Sequence, residues 1–116
     1  MAKRILLVNP PIYDFSAFDF WLKPYGLLRV GGYLRNRAEL ELFDFLDRFH
    51  PSIQQLGLRG DQWGRGKYNA EVVAKPSPFS KIPRQYRRYG IPRDVFTEFL
   101  NTQGHFDAVL IQTSMT

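Results

Sequence analysis

Arg4-Ile5-Leu6-Leu7-Val8-Asn9-Pro10-Pro11 is the stretch that decides the fold. It is a short apolar run without polar alternation, which suits a strand buried on both faces, as in a parallel sheet covered by helices. Two prolines end it, since proline lacks the amide hydrogen that a ladder needs. The next segment, Ile12 to Lys23, is aromatic and acidic (Tyr13, Asp14, Phe15, Phe18, Asp19, Phe20, Trp21) and reads as a loop whose residues 13–21 either cover the core, the favoured reading, or face a ligand or substrate. Pro24 then fits the first turn of a helix, where its missing N–H costs little. Leu27, Leu28, Val30, Gly31 and Leu34 fall on one face at helical spacing. Gly31-Gly32 each cost about 1 kcal/mol of helix propensity, and the compensation expected is close approach of the helix to the sheet. Leu40-Glu41-Leu42-Phe43-Asp44-Phe45 alternates and reads as a second strand.

Order is expected again from Ile91-Pro92. Val95, Phe96, Phe99 and Leu100 form an apolar helical face, Gly104 is a good stop residue, and Phe106 to Gln112 reads as a third strand. Between them, residues 49–90 resist assignment. They hold five Gly and four Pro among Trp63, Tyr68, Phe79, Tyr86 and Tyr89, and are read as an insertion partly ordered by its aromatics. The order strand, helix, strand, insertion, helix, strand predicts an α/β fold with right-handed crossovers and a short parallel sheet. Residues 1–116 are thus expected to form one incomplete domain carrying a long basic insertion. Its open sheet edge would be covered by a C-terminal remainder or by a second copy.

The composition narrows the function classes. With 116 residues, 44% hydrophobic and 16% aromatic, the chain is too apolar for a disordered tail and of a size for one domain. No apolar run approaches the roughly 20 residues that span a bilayer, and Met1-Ala2-Lys3-Arg4 leads into only four apolar residues, so no membrane partner and a cytoplasmic location are expected. The absence of cysteine excludes disulfides, thiolate metal sites and a cysteine nucleophile within these residues. Charge is uneven. Residues 49–90 carry eight basic residues against Asp61 and Glu71, a balance of +6 in a chain whose net charge is +5.

Several segments in order resemble a known family: Ile5-Leu6-Leu7-Val8-Asn9-Pro10-Pro11, Pro24-Tyr25-Gly26-Leu27-Leu28, Gly31-Gly32-Tyr33-Leu34, Leu42-Phe43-Asp44, and Phe106-Asp107-Ala108-Val109-Leu110-Ile111 with Ser114-Met115-Thr116. Together they resemble the N-terminal cobalamin-binding domain of radical S-adenosylmethionine enzymes of the iron–sulfur oxidoreductase type. The resemblance covers residues 3–48 and 91–116, and Gly64-Arg65-Gly66-Lys67 and Arg88-Tyr89-Gly90-Ile91-Pro92 look like a subgroup of that family. It implies a partial flavodoxin-like, Rossmann-like three-layer fold. By position, Asn9, Pro10, Pro11, Ser114 and Thr116 would bind the cobalamin, at the carboxyl ends of the strands where ligands of open α/β sheets sit. The family's histidine-bearing Asp-x-His-x-x-Gly loop is absent, which rules out cobalt ligation by an imidazole from that loop. The Cys-x-x-x-Cys-x-x-Cys motif is also absent, so the 4Fe-4S cluster and S-adenosylmethionine would belong to the remainder of the parent. The chain alone would have no catalytic residue, while the parent would be a radical enzyme performing methyl transfer or a related reaction.

Other candidates have plainer readings. Asn9-Pro10-Pro11 could simply terminate a strand, and Ser114 and Thr116 could be ordinary strand-end residues. Asp44 is read as a solvated strand-end aspartate, because no Gly-x-Gly-x-x-Gly follows the first strand. His50 and His105 lack ligand spacing, so no metal site is assigned. The rival functional signal is Lys81-Ile82-Pro83-Arg84-Gln85-Tyr86-Arg87-Arg88-Tyr89, whose cations and rings could engage the backbone and bases of nucleic acid. In this alternative the chain is a stand-alone α/β module whose basic loop binds nucleic acid or another polyanion. A solvated loop, or docking onto the remainder of the parent, ranks ahead of that partner.

Overall fold

The computed structural model describes residues 2–20, 23–54, 56–57, 60 and 63–113. In chain order the elements are β1 (Lys3–Asn9), β2 (Ile12–Asp14), β3 (Phe18–Asp19), α1 (Tyr25–Leu34), β4 (Ala38–Asp44) and α2 (Pro51–Gln54). They continue with β5 (Gly66–Lys67), β6 (Ala70–Val72), a 3-10 turn at Ser77–Phe79, β7 (Arg87–Tyr89), α3 (Arg93–Gln103) and β8 (Ala108–Ile111). The chain divides into two compact units. One holds residues 1–10, 23–45 and 92–116, and the other residues 11–22 and 46–91. The segment 49–90 therefore folds together with the aromatic segment after β1.

The first unit is α/β. Its parallel sheet runs β4-β1-β8, so the apolar run sits between both partners, with Leu7 opposite Leu42 and Leu110. Leu6, Leu7 and Val8 are buried, as a central strand of a helix-covered sheet requires. Helix α1 packs on the face carrying Leu7 and Leu40. A Cβ placed on Gly31 would come 2.9 Å from Leu7 Cδ1, so the glycine is what allows that approach. Helix α3 packs on the opposite face, where Phe96 and Phe99 meet Phe43 at ring distances of 4.7 and 5.0 Å. Phe45 adds a further edge contact to Phe43 at 4.8 Å. These arrangements match the elements expected from periodicity.

Arg4 fixes the end of α3. Its Nη1 donates to the carbonyl of Gln103 (2.5 Å), a group that a helix C-terminus leaves without a partner, and to that of His105 (3.0 Å) just beyond the helix. Gly104 follows with φ 77°, a conformation that favours glycine. The Arg4 N–H also donates to Asp107 Oδ2 at 2.8 Å.

The second unit contains regular structure that the sequence does not announce. An antiparallel sheet β2-β7-β6 pairs Ile12 with Tyr89 and Ala70 with Tyr89, and sets Tyr13 and Glu71 on either side of Arg88. A two-stranded ribbon pairs Phe18 with Lys67 and Asp19 with Gly66. The core of this unit includes Leu46, Tyr68 and Tyr89, with Ile12 and Ala17 packed against them. Strands of two or three residues have no periodicity of their own. They exist because their partners, distant in sequence, complete the ladder.

The two glycines of α1 are expected to respond oppositely to added bulk. Gly32→Ala, at an exposed helical site with nothing within 4 Å of the new Cβ, should stabilise the chain by about 0.5–1 kcal/mol in denaturant unfolding. Gly31→Val should destabilise it by about 1–3 kcal/mol through overpacking against Leu7. For Asp107, the backbone bond from Arg4, aided by the charges of Lys3 and His105, holds the carboxyl below its ordinary value. The stabilisation is therefore complete at neutral pH and lost as pH falls through that depressed value. Asp107→Asn should flatten the acid limb of the stability–pH curve and leave the limb above neutrality unchanged.

Candidate functional site

The carboxyl end of the parallel sheet is built from the last residues of β1, β4 and β8. Asn9 is buried there, and its Nδ2 donates to Asp44 Oδ1 at 2.8 Å across the β1–β4 register. The chain turns after β4 with the Phe45 N–H bonded to the Asn9 carbonyl at 3.0 Å. On the other side the Gln112 N–H donates to the Val8 carbonyl at 3.0 Å, extending the β1–β8 ladder by one residue. The Gln112 side chain then turns to α1, where its Oε1 accepts the Leu27 N–H at 3.2 Å. Leu27 lies in the first turn of that helix, whose amides have no partner within the helix itself. Thus two side-chain amides, Asn9 and Gln112, organise this end of the sheet.

Of the sequence-predicted residues, Asn9 sits in this arrangement, and Pro10 follows it half-buried. Pro11 is half-buried and belongs to the second unit. Ser114 and Thr116 lie outside the described residues. Asp44 departs from the expectation of a solvated strand end: it is half-buried and holds Asn9. Gln112 escapes sequence reasoning, because a glutamine after a strand carries no signal of the helix amide it will meet.

The basic segment is divided by the fold into buried and exposed cations. Arg88 is buried on β7, with Nη1 3.8 Å from Glu71 Oε1 and Nη2 donating to the Ile91 carbonyl at 2.9 Å. Sequence alone groups it with the surface arginines; position 88 is instead central in a three-stranded sheet, and its guanidinium is internal. Lys67, Lys75, Lys81 and Arg84 are exposed. Arg48 is a further internal guanidinium. Its Nε contacts Asp19 Oδ2 at 3.0 Å, and those side chains are only 7% and 2% exposed. Its Nη2 also donates to the Gly64 carbonyl. Neither Arg48 nor Asp19 stands out in the sequence, where no spacing links them.

His50 and His105 belong to different units. The His50 ring lies 2.8 Å from Ser52 Oγ, and His105 faces Asp107 at 3.4 Å with its side chain 84% exposed. No group of three or more potential metal-ligating side chains occurs among the described residues. Also among the described residues, no helix is long and apolar enough to cross a membrane. Comparison of the chain with protein-family models, with curated proteins and with solved structures finds no match.

Removal of Arg48 takes a buried guanidinium from the buried Asp19 carboxylate. Arg48→Ala should therefore destabilise the protein by about 3–5 kcal/mol. Arg84→Ala, at an exposed site, should stay within about 0.5 kcal/mol of the unsubstituted protein. Chemical denaturation of the two variants side by side checks the division, and equal destabilisation would contradict it.

Proposed function

We propose that the first unit is the N-terminal part of a cobalamin platform, a flavodoxin-like module of a longer radical S-adenosylmethionine enzyme. The reading starts from the family resemblance of residues 3–48 and 91–116. The observation that carries it is the parallel order β4-β1-β8. In that order the chain goes from the central β1 to one edge, β4, and from there to the opposite edge, β8. Open α/β sheets receive ligands at the carboxyl ends where the direction of the connections reverses. Asn9 and Pro10 stand at that end of β1.

The donor set there suits amide and hydroxyl contacts with a corrin rim or tail. It offers Asn9, Gln112, and in sequence Ser114 and Thr116, with no imidazole in the loop after β1 to reach cobalt. Asp44 would hold Asn9 in one orientation, and Gln112 would set the start of α1. When bound, cobalamin supplies the methyl-carrying chemistry. These residues hold and orient it, and the cysteine-bound cluster would come from the remainder of the parent.

Equilibrium dialysis of hydroxocobalamin against the chain is expected to give saturable binding. Ser114→Ala combined with Thr116→Ala should weaken it about tenfold, equivalent to about 1.4 kcal/mol. Absence of saturable cobalamin binding up to about 100 µM, equivalent to about −5.5 kcal/mol, would refute the platform reading for this chain.

A further inference from the structure

We propose that the β6–β7 arm of the second unit, residues 73–87, is a docking surface for single-stranded nucleic acid. The inference is independent of the cobalamin reading. It begins with charge. From Val72 to Arg93 the chain contains six basic residues and no acidic one. Folding internalises Arg88, while Lys75, Lys81 and Arg84 are exposed and Arg87 half-buried.

The arm is ordered. The Val73 N–H donates to the Tyr86 carbonyl at 2.9 Å, closing its base. Lys75 Nζ donates to the Ile82 carbonyl at 2.5 Å, which clasps its middle. The 3-10 turn at Ser77–Phe79 forms the tip and returns the chain through an Ile82 N–H bond to the Phe79 carbonyl at 3.0 Å. The Phe79 ring then folds back on Phe15 and Tyr86, at 5.8 and 6.2 Å. Cations on such an arm are presented with less ordering still to be imposed on binding than those of a mobile tail.

The sheet beneath supplies rings. Ile12 and Tyr89 belong to the core side of β2-β7-β6. Tyr13 and Arg88 alternate to the other side. Phe15 and Tyr86 continue that side, in contact at 5.2 Å. Tyr13 is 48% exposed and Phe79, on the arm itself, 39%, so two rings remain accessible in the same unit as the exposed cations. Phosphates require the cations, and an unstacked base requires an open aromatic face. A duplex, whose bases are already stacked, would use only the charges.

Fluorescence anisotropy with a labelled single-stranded oligonucleotide of about 20 nucleotides should show saturable, salt-sensitive binding. Lys81→Ala with Arg84→Ala, both exposed and remote from the core, should weaken binding about tenfold or more. The same pair should lower the salt slope by about 1.4, near 0.7 for each phosphate no longer neutralised. Phe79→Leu should weaken binding severalfold without changing that slope. Duplex of the same length should bind more weakly. The proposal fails if the Lys81/Arg84 double variant binds as the unsubstituted chain does, or if duplex binds as tightly as single strand. It also fails if anionic phospholipid vesicles bind the chain and the oligonucleotide does not.

Discussion

The pairing of Arg48 with Asp19 is the constraint on which the second unit depends. Removing either of two charges this deeply enclosed takes away attraction that offsets the desolvation cost of the other. Asp19 is on β3 and Arg48 follows the turn after β4, so the pair joins segments that the sequence separates by a helix and a strand. The same guanidinium holds the Gly64 carbonyl just before β5 and lies 5.3 Å from the Phe49 ring. A side chain on Gly60 would meet Arg48 Nη1 at 3.1 Å, so the chain passes close to that guanidinium. One arginine thereby positions both strands of the β3–β5 ribbon.

The first unit is held by a different logic, in which a strand with two neighbours does most of the organising. β1 contributes the buried layer, and the helices lie on its two faces. The sheet edges differ in chemistry. β4 bears Glu39 and Glu41, both exposed, with Glu39 3.5 Å from Arg4 Nε. β8 is Ala108-Val109-Leu110-Ile111, with Val109 51% and Ile111 60% exposed. Charge is the usual protection of a sheet edge; β4 carries it and β8 does not. The two outer strands of the described sheet therefore differ in how far charge guards them.

The first unit is legible in the sequence because its information is local. Four apolar residues in a row, an apolar stripe from Leu27 to Leu34, and the Val95–Leu100 face each declare an element without reference to the rest of the chain. Gly31 declares the approach of helix to sheet by its lack of a side chain. The second unit is opaque for the converse reason. Ile12 pairs with Tyr89 and Phe18 with Lys67, over segments too short for any period to develop. At the candidate site Asn9 can be read from the end of the apolar run. Its partner Asp44 can be named but not paired, since parallel register depends on the crossover and not on any local pattern. Gln112 is invisible because its role is to cap a helix distant in the chain.

Arg88 shows why composition alone overstates a basic surface. The +6 balance of residues 49–90 counts every guanidinium equally. A guanidinium buried as Arg88 is, at 2% exposure, does not reach a polyanion at the surface and cannot release its counterions. What remains for an external partner is the arm carrying Lys81 and Arg84, with Lys75 exposed but donating to the Ile82 carbonyl. In the proposed docking, recognition rather than mere attraction would rest on the Phe79 ring, which packs against Phe15 and Tyr86. Charge brings a polyanion to any basic loop, whereas a ring already held in place stacks on a base with less ordering cost than a mobile one. The aromatic segment after β1, whose sequence suggests a cover for the core, is therefore also what gives the basic segment its shape.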